Sequence, residues 1–426
     1  MGLSDGGLGH GAEPSRAVGS ARLSEPAFWY RPDRDDVLAS MRANEPVCWQ
    51  EEPATAWSPG GRGYWAVLTH ADVRSVSRNT RVFASGLGTE LFDLPQEVAQ
   101  TYSGMLDMDA PQHGRLRRIV SAALSGRLVA RLEPVIRRAA VRIIDAVADR
   151  GECDFAADIA DPLPVAVTCD LLGVPEEDRG EVARLSRLSV PLGDMENGSR
   201  DEALNAALDL IEYSRPLQRA RRQRPADDLI TALVHAEIDG LPLTEDEAGT
   251  YFELLVTAGV ETTGSALAHG MLALTRHPGQ RRRWAGSYSG YAGSAIEEVL
   301  RWSTPVMHFR RTALADARIA GQPIAAGDKV VMFYVSANRD EAAFADPLRF
   351  DIARKANPHV TFGGGGPHFC LGAHLARLEL RIMFEELFRR LPDLEITGKA
   401  VPLRSMFLNG IVEMPCAFTP AAYSTR

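Results

Sequence analysis

Two runs in this sequence place residues of chemically useful types at useful spacing. The first is Thr361-Phe362-Gly363-Gly364-Gly365-Gly366-Pro367-His368-Phe369-Cys370-Leu371-Gly372. Four successive glycines do not belong inside a helix or strand, and they let a backbone approach another group closely. Cys370 follows them where a helix is expected to begin. The unpaired N–H groups and partial positive charge of a helix start favour thiolate over thiol. A thiolate suits a soft or borderline metal. The second run is Ala258-Gly259-Val260-Glu261-Thr262-Thr263-Gly264, a carboxylate and two hydroxyls inside an apolar stretch. Such groups are costly to bury unless they are paired or in use. Together they could hold a small polar reactant and relay protons to it.

The cysteine inventory narrows the metal. Cys48, Cys153, Cys169, Cys370 and Cys416 are odd in number and widely scattered. They give no disulfide framework and no paired metal-ligand spacing. Zinc or an iron–sulfur cluster wants several cysteines together. One protein thiolate, with the remaining ligands from a cofactor, fits better. Haem is such a cofactor, and thiolate ligation favours O–O cleavage. A lone cysteine is more often a buried inert thiol. The glycine loop is what moves the reading to ligation.

These residues need elements to position them. Thr244 to Ala273 reads as one long buried helix, opened by a Thr244/Glu247 capping box. Gly259 and Gly264 each cost it about 1 kcal/mol relative to Ala and leave room for a ligand. Leu371 to Leu391 reads as the amphipathic helix after the cysteine. Arg131 to Ala148 repeats apolar residues at helical spacing. Pro46–Trp49, Gly63–Leu68 and Lys329–Phe333 read as strands, with a short helix from Asp72 to Ser77. The expectation is a mainly α protein with a smaller β region built from both ends of the chain.

Composition sets the outer limits. The chain has 426 residues, 45% apolar and 24% charged, which is ample for a large core. Met1–Ser20 reads as a disordered arm and residues 21–426 as one domain. No apolar run reaches the ~18 residues of a membrane span, and the start lacks signal-peptide features. A net charge of -9 argues against nucleic acid as a partner. The cysteine usage points to a reducing cytoplasm.

The cysteine run resembles the ligand loop of the cytochrome P-450 family, Phe-Gly-x-Gly-x-His/Arg-x-Cys-x-Gly. Here Phe362 stands one residue early and Gly363 holds its slot, a departure shared with some bacterial sterol and branched-lipid hydroxylases. Ala258-Gly259-Val260-Glu261-Thr262-Thr263 is similar to the family's oxygen-activation motif. The resemblance implies a triangular helical prism, with haem b (iron protoporphyrin IX) between the long helix and the cysteine helix. It implies Cys370 as the iron ligand, Thr262 as the hydroxyl beside oxygen and Glu261 as the relay acid. Phe362, Gly364, Gly372 and Ala258 would line the cofactor. Asp109-Ala110-Pro111-Gln112-His113-Gly114-Arg115-Leu116-Arg117 resembles the propionate-binding segment, which assigns His113 and Arg117 to the propionates. Arg311 and His368 complete that set, with Arg310 as a competitor. Glu298, Arg301 and Arg349 match a structural ion cluster.

The implied activity is insertion of one oxygen atom from O2 into an apolar substrate. A steroid, terpenoid or fatty-acyl lipid is favoured over a natural-product scaffold. Leu87, Leu91, Phe92, Leu94, Met105, Leu255, Val306, Met307, Phe407 and Leu408 are candidate pocket residues, although each could equally be core packing. No flavin or nicotinamide fingerprint is present, so electrons are expected from a ferredoxin and ferredoxin reductase. Arg115, Arg118, Arg127 and Arg377 are candidates to dock the ferredoxin. A peroxide-using haem enzyme and a non-catalytic haem sensor are the competing readings. Retention of Glu261 and Thr262 argues against the first.

Overall fold

The computed structural model describes residues 22–54, 60–93, 104–123, 126–189, 200–238 and 240–420. The N-terminal arm and Leu94 lie outside the described residues. So does the side chain of Arg127.

The long helix runs Glu245–Arg276. Its capping box is formed: Thr244 Oγ1 accepts from the Glu247 N–H at 3.1 Å, and Glu247 Oε2 accepts from the Thr244 N–H at 2.9 Å. It outlasts the expected end at Ala273. The stop comes at His277, whose backbone before Pro278 leaves the helical region, as residues before proline do. Val256, Val260, Leu267, Met271 and Leu274 bury it in the main core. Helices Pro162–Leu172, Arg179–Ser189, Arg200–Gln223 and Tyr288–Ser303 pack around it.

The cysteine helix, Ala373–Arg390, packs chiefly on helix Gly126–Asp145. The latter begins before the expected Arg131 and holds Pro134 within it. Leu380, Met383 and Phe384 join the cysteine helix to the same core as the long helix.

The β part does draw on both ends of the chain. A five-stranded sheet has the spatial order Val47–Gln50, Tyr64–Val67, Lys329–Phe333, His308–Ala313, Phe83–Ala84. Tyr64–Val67 and Lys329–Phe333 are parallel neighbours, and the other pairs are antiparallel. The helix beside this sheet spans His70–Arg78, capped by Thr69. Among the described residues, no helix is long and apolar enough to cross a membrane.

A buried ion cluster ties sheet and helices together. Arg301 donates Nε and Nη2 to the two Glu298 oxygens, each at 2.8 Å, and both side chains are fully buried. The expected third member is not Arg349. That residue is exposed and offers only its carbonyl, to Arg301 and Arg354. Arg354 supplies the second guanidinium, donating Nε to Glu298 at 3.0 Å. The backbone between them turns so that position 354 points inward. The N–H of Asp351 and the amide of Asn357 saturate the remaining lone pairs of Glu298. A buried carboxylate so fully paired fixes the irregular segment 338–357.

Candidate active site

The glycine loop reaches a protein surface. A Cβ on Gly364 would lie 2.7 Å from Ser77 Cβ and 3.0 Å from Val73 O. A Cβ on Gly366, whose φ is +86°, would lie 2.8 Å from Ser77 O. The loop therefore seats directly on helix His70–Arg78, with Ser77 Oγ donating to Gly365 O at 2.8 Å. This close approach explains Gly364, Gly365 and Gly366. Cys370 N then donates to Phe362 O at 3.0 Å, closing the hairpin. Phe362 lies under the Arg377 guanidinium at 4.5 Å. Arg377 is itself forked onto Glu297 at 2.6 and 2.8 Å, so this expected docking residue is tied inward. Arg118 is exposed and Arg115 half-buried.

Cys370 is accessible, yet enclosed enough that desolvation raises its pKa. The N–H groups of Gly372 and Ala373 at the helix start, with Arg117 and Arg377, oppose the rise but do not overcome it. The helix start alone, expected to yield a thiolate, does not suffice; a cation on the sulfur would complete the deprotonation. Leu371 packs in one apolar cluster with Leu254, Leu255, Tyr251 and Met105. The cysteine loop is thus fastened to the long helix one turn before Ala258. Ala258 is exposed between the half-buried Thr257 and Gly259, and Glu261 and Thr262 are half-buried.

Thr262 Oγ1 donates to Ala258 O at 2.9 Å, leaving its lone pairs available. Burial, then the nearby Asp161, pushes Glu261 up to about 7. Sequence reasoning missed Asp161. A Cβ on Gly264 would lie 2.7 Å from Asp161 Oδ1, so this carboxyl covers the helix one turn beyond Glu261. Burial raises Asp161 to about 6, opposed by Arg187. The only signal in the sequence was Asp161-Pro162, which reads as an ordinary helix start. A Cβ on Gly259 would similarly meet Thr168 Oγ1 at 2.7 Å. These two glycines accommodate neighbouring polar side chains.

The residues assigned to propionates gather on the other side of the loop. His113 and His368 stack with centroids 4.0 Å apart. Burial, then Arg311 and His113, holds His368 neutral with a pKa of about 3. Ser85 Oγ meets His368 Nε2 at 3.2 Å. Arg117 donates to Phe369 O. Arg310 is committed elsewhere, donating to Asp93 at 2.7 Å and to the Leu87 and Glu90 carbonyls. Arg311 is 3% exposed, and its Nε has no partner among the described residues. Among the described residues its guanidinium bonds from Nη1 to Arg310 O at 2.6 Å. A buried, under-satisfied guanidinium is costly and calls for an anion. A cofactor carrying carboxylate groups would fit this donor set.

The pocket candidates separate. Val306 bridges to Leu408, and Met307 N donates to Phe407 O at 2.8 Å, which brings these four together. Leu91, Phe92 and Met307 pack in a core with Trp29 and Phe333. Leu87 is 59% exposed. Among the described residues, no group of three or more His, Cys, Asp or Glu could hold a metal by itself.

The described residues present one accessible cysteine at a helix start and a buried guanidinium short of partners, donors that a metal-bearing anionic cofactor would use. A family model described as "Cytochrome P450" matches residues 290–413. A methyl-branched lipid omega-hydroxylase of Mycobacterium tuberculosis is 39% identical over 95% of this chain and 96% of its own. A steroid C26-monooxygenase of Mycolicibacterium smegmatis is 39% identical over 91% of each chain. The cytochrome P450 CYP268A2 of Mycobacterium marinum, solved in complex with pseudoionone, superposes with a TM-score of 0.90. It is 41% identical, over 95% of this chain and 99% of that one. The chain belongs to the cytochrome P450 family and is a haem-dependent monooxygenase with the fold of that family.

Proposed function

We propose that this enzyme hydroxylates branched or polycyclic lipids, with Cys370 as the thiolate ligand of haem b. One observation carries the site assignment: Cys370 is accessible at the start of helix Ala373–Arg390, and Leu371 next to it packs against the apolar cluster that includes Leu254 and Leu255 of the long helix. Haem, when bound, supplies dioxygen activation. Arg117, Arg311, His113 and His368 would hold the propionates by charge and neutral hydrogen bonds. Phe362, Gly364 and Gly372 shape the thiolate side, and Ala258 leaves space on the other face. The Thr262 hydroxyl orients the oxygen reactant. Glu261 holds a proton up to about pH 7 and passes it inward, and Asp161 is its neighbour on the outer side. Residues 21–426 act as one unit.

Val306, Met307, Phe407 and Leu408 form the apolar wall nearest the substrate. The lipid reading is supported by the two mycobacterial relatives, whose names specify a methyl-branched lipid and a steroid. Electrons come from redox partners, here a ferredoxin and its reductase, with Arg118 on the docking face. A reducing cytoplasm suits the free thiols. Titrating the holoenzyme with branched fatty acids and sterols tests the substrate class. Low-micromolar spin-state shifts are expected for one of them; shifts confined to aromatic natural products would move the substrate elsewhere.

A further inference from the structure

Cys153 and Cys416 are directly opposed across antiparallel strands Glu152–Asp154 and Pro415–Ala417. Their sulfurs are 3.4 Å apart and share a hydrogen bond. They are 263 positions apart in the chain, so only the fold brings them together. The ladder around them is firm. Phe155 N donates to Met414 O at 2.8 Å on one side, and Phe418 N to Gly151 O at 2.9 Å on the other. Opposed residues in such a ladder have Cα atoms about 4.5–5.5 Å apart, within the ~4.4–6.8 Å that a disulfide spans. Side-chain rotation alone can then bring the sulfurs to bonding distance. Cys153 is half-buried and Cys416 is 1% exposed. A reagent reaches Cys153 first, and Cys416 is already in place behind it.

We propose that Cys153 and Cys416 form a reversible disulfide when the protein meets hydrogen peroxide. The Cys153 sulfur takes one oxygen as the O–O bond breaks, giving a sulfenic acid; the departing hydroxide collects the thiol proton and leaves as water. The Cys416 sulfur then attacks the Cys153 sulfur. The S–S bond forms, the S–O bond breaks, and hydroxide leaves with the second proton as water. Two thiols lose two electrons and two protons, and one peroxide becomes two waters. The bridge would pin the last strand to the segment entering the Phe155–Ala160 turn, which ends beside Asp161. It would also close a very long loop in the unfolded chain, which resists unfolding.

The test treats the purified holoenzyme with a few equivalents of hydrogen peroxide, alkylates the remaining thiols and maps peptides without reduction. The expected result is loss of two alkylatable thiols, a mass decrease of about 2 Da, and one cross-linked pair joining Cys153 to Cys416. Dithiothreitol should reverse it, and the oxidised form should unfold at higher denaturant. Cys416→Ser should leave Cys153 to oxidise singly, with no cross-link and no gain in midpoint. Cys153→Ser should protect Cys416 from the same dose. Wild-type protein that accumulates sulfinic acid on Cys153 without the cross-link would overturn the proposal. So would bridges formed by other cysteines while this pair stays alkylatable.

Discussion

At the residue scale the central pair is Glu261 and Thr262. Glu261 is raised to about 7 by burial and then by Asp161, so its proton-donating form is present below that pH and lost above it. Proton delivery should therefore slow as pH rises through about 7. Glu261→Gln should flatten that dependence in single-turnover measurements. An unchanged profile would remove Glu261 from the path. Thr262→Ala should keep haem binding intact while most consumed oxygen leaves as hydrogen peroxide. The ratio of peroxide to oxygen should rise several-fold, on the scale of a lost acid–base contact. Cys370, Glu261 and Thr262 stood out as candidates because their residue types sit in contiguous runs. Asp161 did not, because its relation to Gly264 exists only across a helix crossing.

At the scale of elements, the glycine loop and the ion cluster share one logic: irregular backbone is held by specific close contacts. Gly366→Ala meets both a positive φ and the Ser77 carbonyl, so it should lower haem content of the purified protein. Normal haem occupancy would show that the loop can give way. Glu298→Ala leaves Arg301 and Arg354 buried without their anion, and should cost about 3–5 kcal/mol. Arg354→Ala should approach that loss, whereas the exposed Arg349→Ala should stay within about 0.5 kcal/mol. Denaturant midpoints of the three variants, compared at equal haem load, distinguish the two arginines. A large loss at Arg349 would reverse the assignment. The sequence pattern identified the helix Glu298–Arg301 correctly, but not which later arginine turns inward. Spacing along an irregular segment does not encode direction, whereas helical spacing does. For the same reason the long helix, the cysteine helix and strand Lys329–Phe333 were readable, while the seat of the glycine loop on helix His70–Arg78 was not.

At the scale of the whole molecule, the buried Glu253 and Glu379 and the half-buried Glu261 make stability depend on pH. Burial raises Glu253 and Glu261 to about 7 and Glu379 to about 8. Each contributes stability that is complete below the ordinary carboxylate range and is lost as pH rises through its folded value. Glu379 is the clearest case, since its Oε2 has no partner among the described residues. Glu379→Gln should raise the free energy of unfolding at pH 8 by about 1–3 kcal/mol and change little at pH 4. Equal effects at both pH values would mean that packing, not ionisation, sets the difference. The mixed architecture followed from periodicity at both ends of the chain. The pairing of Tyr64–Val67 with Lys329–Phe333 is a long-range contact that local pattern does not specify.

The central claim is that Cys370 is the thiolate ligand of haem. Its most direct test is the absorption spectrum of the reduced, carbon-monoxide-exposed holoenzyme, beside that of Cys370→Ser. A Soret band shifted far to the red, as thiolate ligation gives, is predicted for the wild type and its loss for the variant. A histidine-type band in the wild type, or a red-shifted band that survives in the variant, would contradict the account.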